Sequence, residues 1–351
     1  MMRFIHLSDV HLGALPDRGC LWSEARGEEI WETFRRVIAA IRKDPVDFLF
    51  IAGDLFHRQP LLRELREVNY LFSQIPETTV YLIAGNHDYM KPDSFYRTFQ
   101  WEENVVFFGE EKISCVKDKK HNVYVYGLSY ENQEIFAPLY DEVKPTEEEG
   151  YHILLAHGGD ARHIPMNVKA VSVAGFDYIA LGHIHKPQII FHDKMAFAGA
   201  LEPIDCNDIG PHGYIEGTME DSKVTATFVP FASRSYQQII LTVREDSTQF
   251  ALEEMLRTDI MNRGGKNIYR VILQGYRSPE LLLIPEKLKK QGNIIDVIDQ
   301  SQPMYDLEAL EKRYAGTLIG EYISYFRRKK CSSVEEKALI FGLQALLQTS
   351  R

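Results

Sequence analysis

Asp47-Phe48-Leu49-Phe50-Ile51-Ala52-Gly53-Asp54-Leu55-Phe56-His57 is a short apolar run that ends in a glycine turn bearing an aspartate and a histidine. It reads as a β-strand with polar chemistry at its end. The same form recurs on either side. Residues 3–7, 80–84, 105–108, 123–126, 152–156 and 177–181 are further apolar runs. Several stop at comparable turns: Leu7-Ser8-Asp9, Ala84-Gly85-Asn86-His87, Ala156-His157-Gly158 and Leu181-Gly182-His183. Strand ends of this kind are common places for function. Between the early strands, residues 24–42 carry Ile30, Phe34, Val37, Ile38 and Ile41 at helical spacing. Residues 61–74 do the same with Leu62, Leu65, Val68 and Leu71 or Phe72. The chain therefore opens βαβαβ, and residues 195–229 read as an antiparallel part of the same sandwich.

After residue 234 the pattern changes. Residues 238–243, 268–273 and 294–298 read as strands, with helices at 249–261 and 279–290 between them. Two helices follow, at 307–328 and 334–347. The expected domains are a catalytic domain over 1–231, a βαβαβ capping domain over 232–303 and a helical segment over 304–351. The 351 residues exceed one ordinary domain, and 45% hydrophobic with 26% charged residues is the composition of a soluble globular protein. Cys20, Cys115, Cys206 and Cys331 are far apart and form no pair motif, which fits a reducing cytoplasm. No signal peptide or stretch of 18 apolar residues is present, so secretion and membrane spanning are not expected. The formal net charge of −10 argues at first against a polyanionic substrate. Residues 1–231 carry that excess, with 22 Lys and Arg against 35 Asp and Glu, whereas residues 232–351 carry 18 against 15. Bound divalent cations would offset part of the acidic half, so nucleic acid is not excluded.

Five segments supply hard-cation ligands at predicted strand ends: Asp9-Val10-His11, Gly53-Asp54, Gly85-Asn86-His87-Asp88, His157-Gly158 and Gly182-His183-Ile184-His185. Alternate residues of a segment that turns at glycine reach one common centre. Asp, Asn and His suit Mn, Fe or Zn with positions left open for water and substrate. Any single histidine is more often a surface or hydrogen-bonded core residue, and only the joint occurrence carries weight.

The ordered set D-x-H, G-D, G-N-H-D, H-G and G-H-x-H resembles the calcineurin-like metallophosphoesterase superfamily. The resemblance implies a four-layer α/β/β/α sandwich with two divalent metal ions at one edge. Asp9, His11, Asp54 and His185 would hold one ion. Asp54, Asn86, His157 and His183 would hold the other, with Asp54 bridging. It further implies that His87 is catalytic, protonating the leaving oxygen or stabilising charge that develops there. Asp88 would orient His87, and His57 would face the same cleft, although a solvated helix-start histidine is its blander reading. Mn²⁺ is the family-based expectation, with Fe²⁺ or Zn²⁺ as alternatives.

Gly53-Asp54-Leu55-Phe56-His57-Arg58 differs from the G-D-x-x-D-R-G of serine/threonine phosphatases, and position 57 lacks the tyrosine of the purple phosphatases. It is similar to the SbcD/YhaO group of DNA repair exonucleases, as are residues 182–188 and the turn Gly199-Ala200-Leu201-Glu202-Pro203. That resemblance implies a metal-dependent DNA exonuclease, possessing or lacking endonuclease activity, that acts in end processing and repair. It also implies a homodimer, DNA as substrate, a capping domain, and closing helices that dock on an SbcC-like coiled-coil ATPase. The stripe Leu307, Leu310, Tyr314, Leu318, Tyr322 and Phe326 is nonetheless more often packed core than partner surface. Arg327-Arg328-Lys329-Lys330 is usually a solvated helix end. Two other functions compete: a small-molecule phosphodiesterase acting on cyclic nucleotides, and a non-catalytic scaffold binding DNA or the ATPase.

Overall fold

Phe4 and Ile5 are neighbours on strand β1 (Met2–Leu7), and they are 0% and 4% exposed although the pleat sends them to opposite faces. Only a strand covered on both sides permits this. The computed structural model describes residues 1–118 and 120–349 and divides into two units, one over residues 1–236 and one beginning at Gln237. In the first unit, helix α1 (Ser23–Lys43), β2 (Phe48–Ala52), α2 (Leu62–Ser73), β3 (Thr79–Ile83) and β4 (Val105–Phe107) follow β1. These four strands run parallel in the order of the chain. Helix α1 begins with Glu24 and ends with Arg42 and Lys43, each complementing the helix dipole. Helix α2 starts where Glu64 accepts a hydrogen bond from the Leu61 backbone N–H, at 2.8 Å.

The second sheet contains β5 (Ser114–Asp118), β6 (Val123–Gly127), β7 (Tyr151–His157), β8 (Tyr178–Gly182), β9 (Gln188–Phe191) and β10 (Met195–Phe197), with helix α3 (Val168–Ser172) before β8. Strands β6, β7, β8 and β10 are parallel, and β5 and β9 pair antiparallel at the edges. The hairpin β11 (Gly213–Glu220) and β12 (Lys223–Pro230) returns to the first sheet and pairs antiparallel with β1. Of the antiparallel part expected over 195–229, the stretch from Gly213 onward lies on the free side of β1, whereas Met195–Phe197 is β10 of the second sheet and runs parallel to β8.

Three cores separate the layers. Phe34, Val37 and Ile41 of α1 pack on Ile5, Leu49 and Ile51. Phe4, Phe48 and Phe50 meet Val125, Ile153 and Tyr178 between the two sheets. Tyr126, Leu154 and Leu181 on the far face are covered by Val171 of α3 and by Tyr140, Ile164 and Phe176 from connecting chain. This is the α/β/β/α sandwich, with a fourth layer made chiefly of irregular chain.

The second unit begins within β13 (Tyr236–Val243) and continues with α4 (Gln249–Arg263), β14 (Ile268–Arg277), α5 (Pro285–Lys289), β15 (Ile294–Asp299) and β16 (Gln302–Pro303). The sheet order is β13-β14-β15, with β16 also on β14. Leu252, Leu256 and Ile260 of α4 pack on Ile239, Leu241, Val271 and Leu273. The helix expected over 279–290 is only the five residues of α5. Proline has no N–H to donate and suits a first turn, so the helix starts at Pro285. The helix expected over 307–328 is two, α6 (Leu307–Arg313) and α7 (Leu318–Arg327). They separate at Gly316, with φ of +74°, and at Thr317, whose side chain caps Gly320 N. Together with α8 (Ser333–Thr349), they close on Ile319, Ile323 and Leu343. Leu307, Leu310, Tyr314 and Tyr322 of the apolar stripe pack against this small core, whereas Leu318 is 69% exposed. No described helix is long and apolar enough to cross a membrane.

Candidate metal centre

Each of the five motifs follows the carboxyl end of a parallel strand. Asp9 and His11 lie just beyond β1, Asp54 beyond β2, and Asn86 and His87 beyond β3; His157 ends β7, and His183 and His185 follow β8. The two sheets therefore deliver their strand ends to one place, as open α/β sheets do. The backbone is forced to turn sharply there. Asp9, His11, Asp54 and His183 have φ of 49°, 52°, 52° and 95°, a region that side chains other than glycine rarely enter. Such strain persists only where the surroundings impose it, and it clusters at functional sites. Backbone hydrogen bonds from Asp9 N to Gly53 O (3.1 Å) and from His11 N to Asp54 O (3.0 Å) hold the first two turns together. Gly53, with φ of +87°, and Gly85 are required by proximity: a Cβ at Gly53 would meet the His157 ring, and one at Gly85 the Asp54 carboxylate.

The donor atoms form two overlapping groups. Asp9, His11 and His185 place one donor each within 4.8 Å of one another, and Asp9, Asp54 and His157 do likewise. Asp54 is 1% exposed and reaches both, with Oδ2 3.9 Å from His11 Nε2 and 3.4 Å from His157 Nε2. His157 Nε2 and His183 Nδ1 lie 2.9 and 3.1 Å from the Asn86 Oδ1. His11 Nε2 and His185 Nε2 face each other at 3.1 Å.

This donor set fits cations. His157 Nδ1 is 2.9 Å from the Ala52 carbonyl, which can only accept a proton, so its Nε2 lone pair is the free one. Lone pairs aimed at lone pairs need a positive charge between them. When no cation is bound, protons meet that need. Burial alone would lower His157, but the adjacent Asp54 carboxylate outweighs it and raises His157 to about 9. His185 likewise rises to about 9 against its burial, through its bond to Asp208 and the charge of Asp9. Asp54 is held below the usual carboxylate range, because His157, His11 and His87 overcome its burial.

All seven residues expected as ligands come together. So do His57 and His87, which form a third cluster with His11, again within 4.8 Å. Their rings stack with centroids 5.0 Å apart, and His87 Nδ1 is 3.1 Å from the His57 carbonyl oxygen. The expectation for Asp88 is corrected. It is fully buried and bonds not to the His87 ring but to Gly85 N (2.8 Å), Phe56 N (3.1 Å) and Tyr96 Oη (2.9 Å). Adjacent residues on a tight turn diverge, so Asp88 fastens the turn from behind. Burial and the charge of Asp54 push its carboxyl up to about 7.

Two aspartates beside the centre carry no signal in the motif set: Asp160, 2.8 Å from His183 Nε2, and Asp208, 3.2 Å from His185 Nδ1. The turn at residues 199–203 does carry a signal. Ala200 N donates to His185 O (2.8 Å), and Gly199 O accepts from Ser8 Oγ (3.1 Å), so the turn ties the β1 and β8 ends together. Glu202 anchors it, fully buried against Arg26 at 3.3 Å and Thr33 at 2.6 Å.

Two α/β layers whose strand ends converge on Asp, Asn and His define a metallophosphoesterase. A family model described as calcineurin-like phosphoesterase matches residues 2–187, more than half of the chain, and the chain belongs to that family. It is a hydrolase of phosphate esters. The chain is similar to the metallophosphoesterase YhaO of Bacillus subtilis, 26% identical over 343 residues that cover 90% of this chain and 80% of that protein. It is also similar to the DNA double-strand break repair protein Mre11 of Methanopyrus kandleri, 27% identical over 226 residues, 58% of this chain and 49% of the relative. The protein of the same name in Methanocaldococcus jannaschii is 26% identical over 224 residues, 59% of this chain and 58% of the relative. The chain thus spans about half the length of these two archaeal relatives.

Proposed function

We propose that this protein is a metal-dependent DNA nuclease that hydrolyses phosphodiester bonds in DNA end processing and repair, with Mn²⁺ as its ion. The observation that carries the reading is the convergence of Asp9, His11, Asp54, Asn86, His157, His183 and His185 at the ends of two sheets. One ion would sit among Asp9, His11, Asp54 and His185, the second among Asp54, Asn86, His157 and His183. When bound, two ions lower the pKa of water and stabilise the charge that builds up on phosphoryl oxygens.

His87 handles the proton. Its backbone N–H donates to Asp54 at 2.8 Å, and its Nδ1 faces a carbonyl oxygen, so Nδ1 keeps its hydrogen and Nε2 is the atom that gives or takes one. His57, stacked on that ring and bonded to His11 (Nδ1 to Nδ1, 3.4 Å), limits its rotation. DNA as the substrate is supported by the similarity to archaeal DNA double-strand break repair proteins and by the net-positive residues 232–351. Docking of an SbcC-like coiled-coil ATPase on the closing helices, a homodimer and a cytoplasmic setting complete the reading. Exposed Leu318 and Phe341 on those helices favour the docking.

The test is incubation of metal-free protein and its His87→Ala variant with end-labelled single-stranded and hairpin DNA and with bis-p-nitrophenyl phosphate, each with Mn²⁺, Mg²⁺ or no metal. The expected result is Mn²⁺-dependent cleavage of DNA and of the small diester, lost in the variant. Faster turnover of a cyclic nucleotide than of DNA would move the function to a small-molecule phosphodiesterase. Absence of any hydrolysis, with and without the ATPase, would leave only a binding scaffold.

A further inference from the structure

We propose that Asp160 and Asp208 are positioning residues that hold His183 and His185 in opposite tautomers, each thereby setting the affinity of one of the two ions. The inference rests on the metal-centre reading above.

Asp160 Oδ2 lies 2.8 Å from His183 Nε2, and the other ring nitrogen, Nδ1, lies 3.1 Å from Asn86 Oδ1. His185 is arranged the other way round. Its Nδ1 is 3.2 Å from Asp208 Oδ2, and its Nε2 faces His11 Nε2 at 3.1 Å. Asn86 Oδ1 also only accepts, but the Asp160 carboxylate is charged and the stronger acceptor, so the hydrogen of a neutral ring sits on Nε2 of His183, and on Nδ1 of His185 opposite Asp208. The lone pairs left free belong to Nδ1 and Nε2 respectively. These are the atoms that face Asn86 Oδ1 and His11 Nε2, members of the two proposed ion sites. In the wrong tautomer an N–H would face the cation, and the ligand would be lost. Two residues apart on one short turn, the histidines reach different groups by presenting different ring edges.

Asp160 is exposed, with its side chain 46% accessible, but hydrogen bonds fix both aspartates. Asp160 Oδ1 accepts from Arg162 N at 2.7 Å and His163 N at 2.9 Å, and Oδ2 lies 2.9 Å from His163 Nδ1. Asp208 Oδ2 accepts from Ile204 N at 3.0 Å and Asp205 N at 3.1 Å, and its side chain is only 11% exposed. Both carboxylates are therefore held before any ion arrives. His157 is oriented in the same manner by the Ala52 carbonyl at 2.9 Å, so each of these three rings has one nitrogen committed to an acceptor.

The experiment titrates Mn²⁺ into the full-length metal-free chain, reading free Mn²⁺ by EPR, with histidine ¹H–¹⁵N NMR reporting the tautomers. Wild type is expected to bind two ions. Asp160→Ala should weaken one of them by about 10- to 100-fold and spare the other, and it should remove the fixed Nε2–H form of His183. Asp160→Asn keeps an acceptor oxygen and should recover part of the affinity. Asp208→Asn keeps an acceptor for the 204–208 turn and for His185 Nδ1 but loses the charge, so it should weaken the other ion partially, as Asp160→Asn does the first. The double variant Asp160→Ala/His183→Ala should bind no more weakly than His183→Ala alone, since Asp160 acts through His183. Unfolding temperatures measured in EDTA check that each variant is folded. Wild-type affinity for both ions in Asp160→Ala and Asp208→Asn, or additive losses in the double variant, would overturn the inference. A wild-type chain that binds no Mn²⁺ would instead overturn the metal-centre reading, and the inference with it.

Discussion

The two units treat polar side chains in opposite ways. All twelve histidines precede Gln237, and every polar or charged side chain that is buried among the described residues also lies in the first unit. The second unit buries Ile239, Leu241, Leu252, Leu256, Val271 and Leu273 around Tyr269, with no carboxylate or imidazole among them. Burying Asp9, His11, Asp54 and His157 is costly unless hydrogen bonds or cations compensate. A fold keeps such residues inside where they perform chemistry. The second unit, whose interior is explained by packing alone, has only its surface to offer for function.

Four measurements test this division. The largest effect is expected from Asp54→Ala, which removes the carboxylate proposed to bridge the two ions. The rate on bis-p-nitrophenyl phosphate should fall by about 10³-fold or more, equivalent to several kcal/mol of transition-state stabilisation, and EDTA should do the same to wild type. Retention of the wild-type rate would remove the hydrolytic chemistry from this cluster. Next comes Leu256→Ala in the fully buried core of the second unit. It should destabilise that unit by about 2 to 5 kcal/mol in denaturant unfolding. Hydrolysis of the small diester should stay within about twofold, and a parallel collapse of both would break the separation of roles.

Gly53→Ala is a finer probe, since φ is +87° and a Cβ would meet the His157 ring. A cost of about 1 to 3 kcal/mol in stability, together with weaker Mn²⁺ binding, is expected from calorimetry. The smallest effect concerns the basic run on the second unit. Arg328→Ala with Lys330→Ala should lower the slope of log DNA affinity against log salt by at most about 2. An unchanged slope would identify these residues as a solvated helix end.

Residues 48–52 and 79–83 are legible as strands because they are buried on both faces, so their apolar runs are nearly uninterrupted. The ligand set is legible for a related reason. Each member lies within a few residues of a strand end, and Asp54, Asn86, His157 and His183 each adjoin a glycine that close approach demands. Other features depend on encounters that adjacency in the chain does not reveal. Asp88 looked like the orienter of His87 by being next to it, yet it serves Gly85, Phe56 and Tyr96. Asp160 precedes His183 by 23 residues and Asp208 follows His185 by 23, in loops without a motif.

The sequence by itself determined the alternation of strands and helices, the family and the seven candidate donor residues that the fold brings together, because apolar periodicity and short glycine turns are local properties. Tertiary structure decided which ring nitrogen each histidine presents, which carboxylate steadies it, and where the closing helix breaks at Gly316. Those outcomes turn on hydrogen bonds between distant segments and on backbone angles set by packing, neither of which a local pattern encodes.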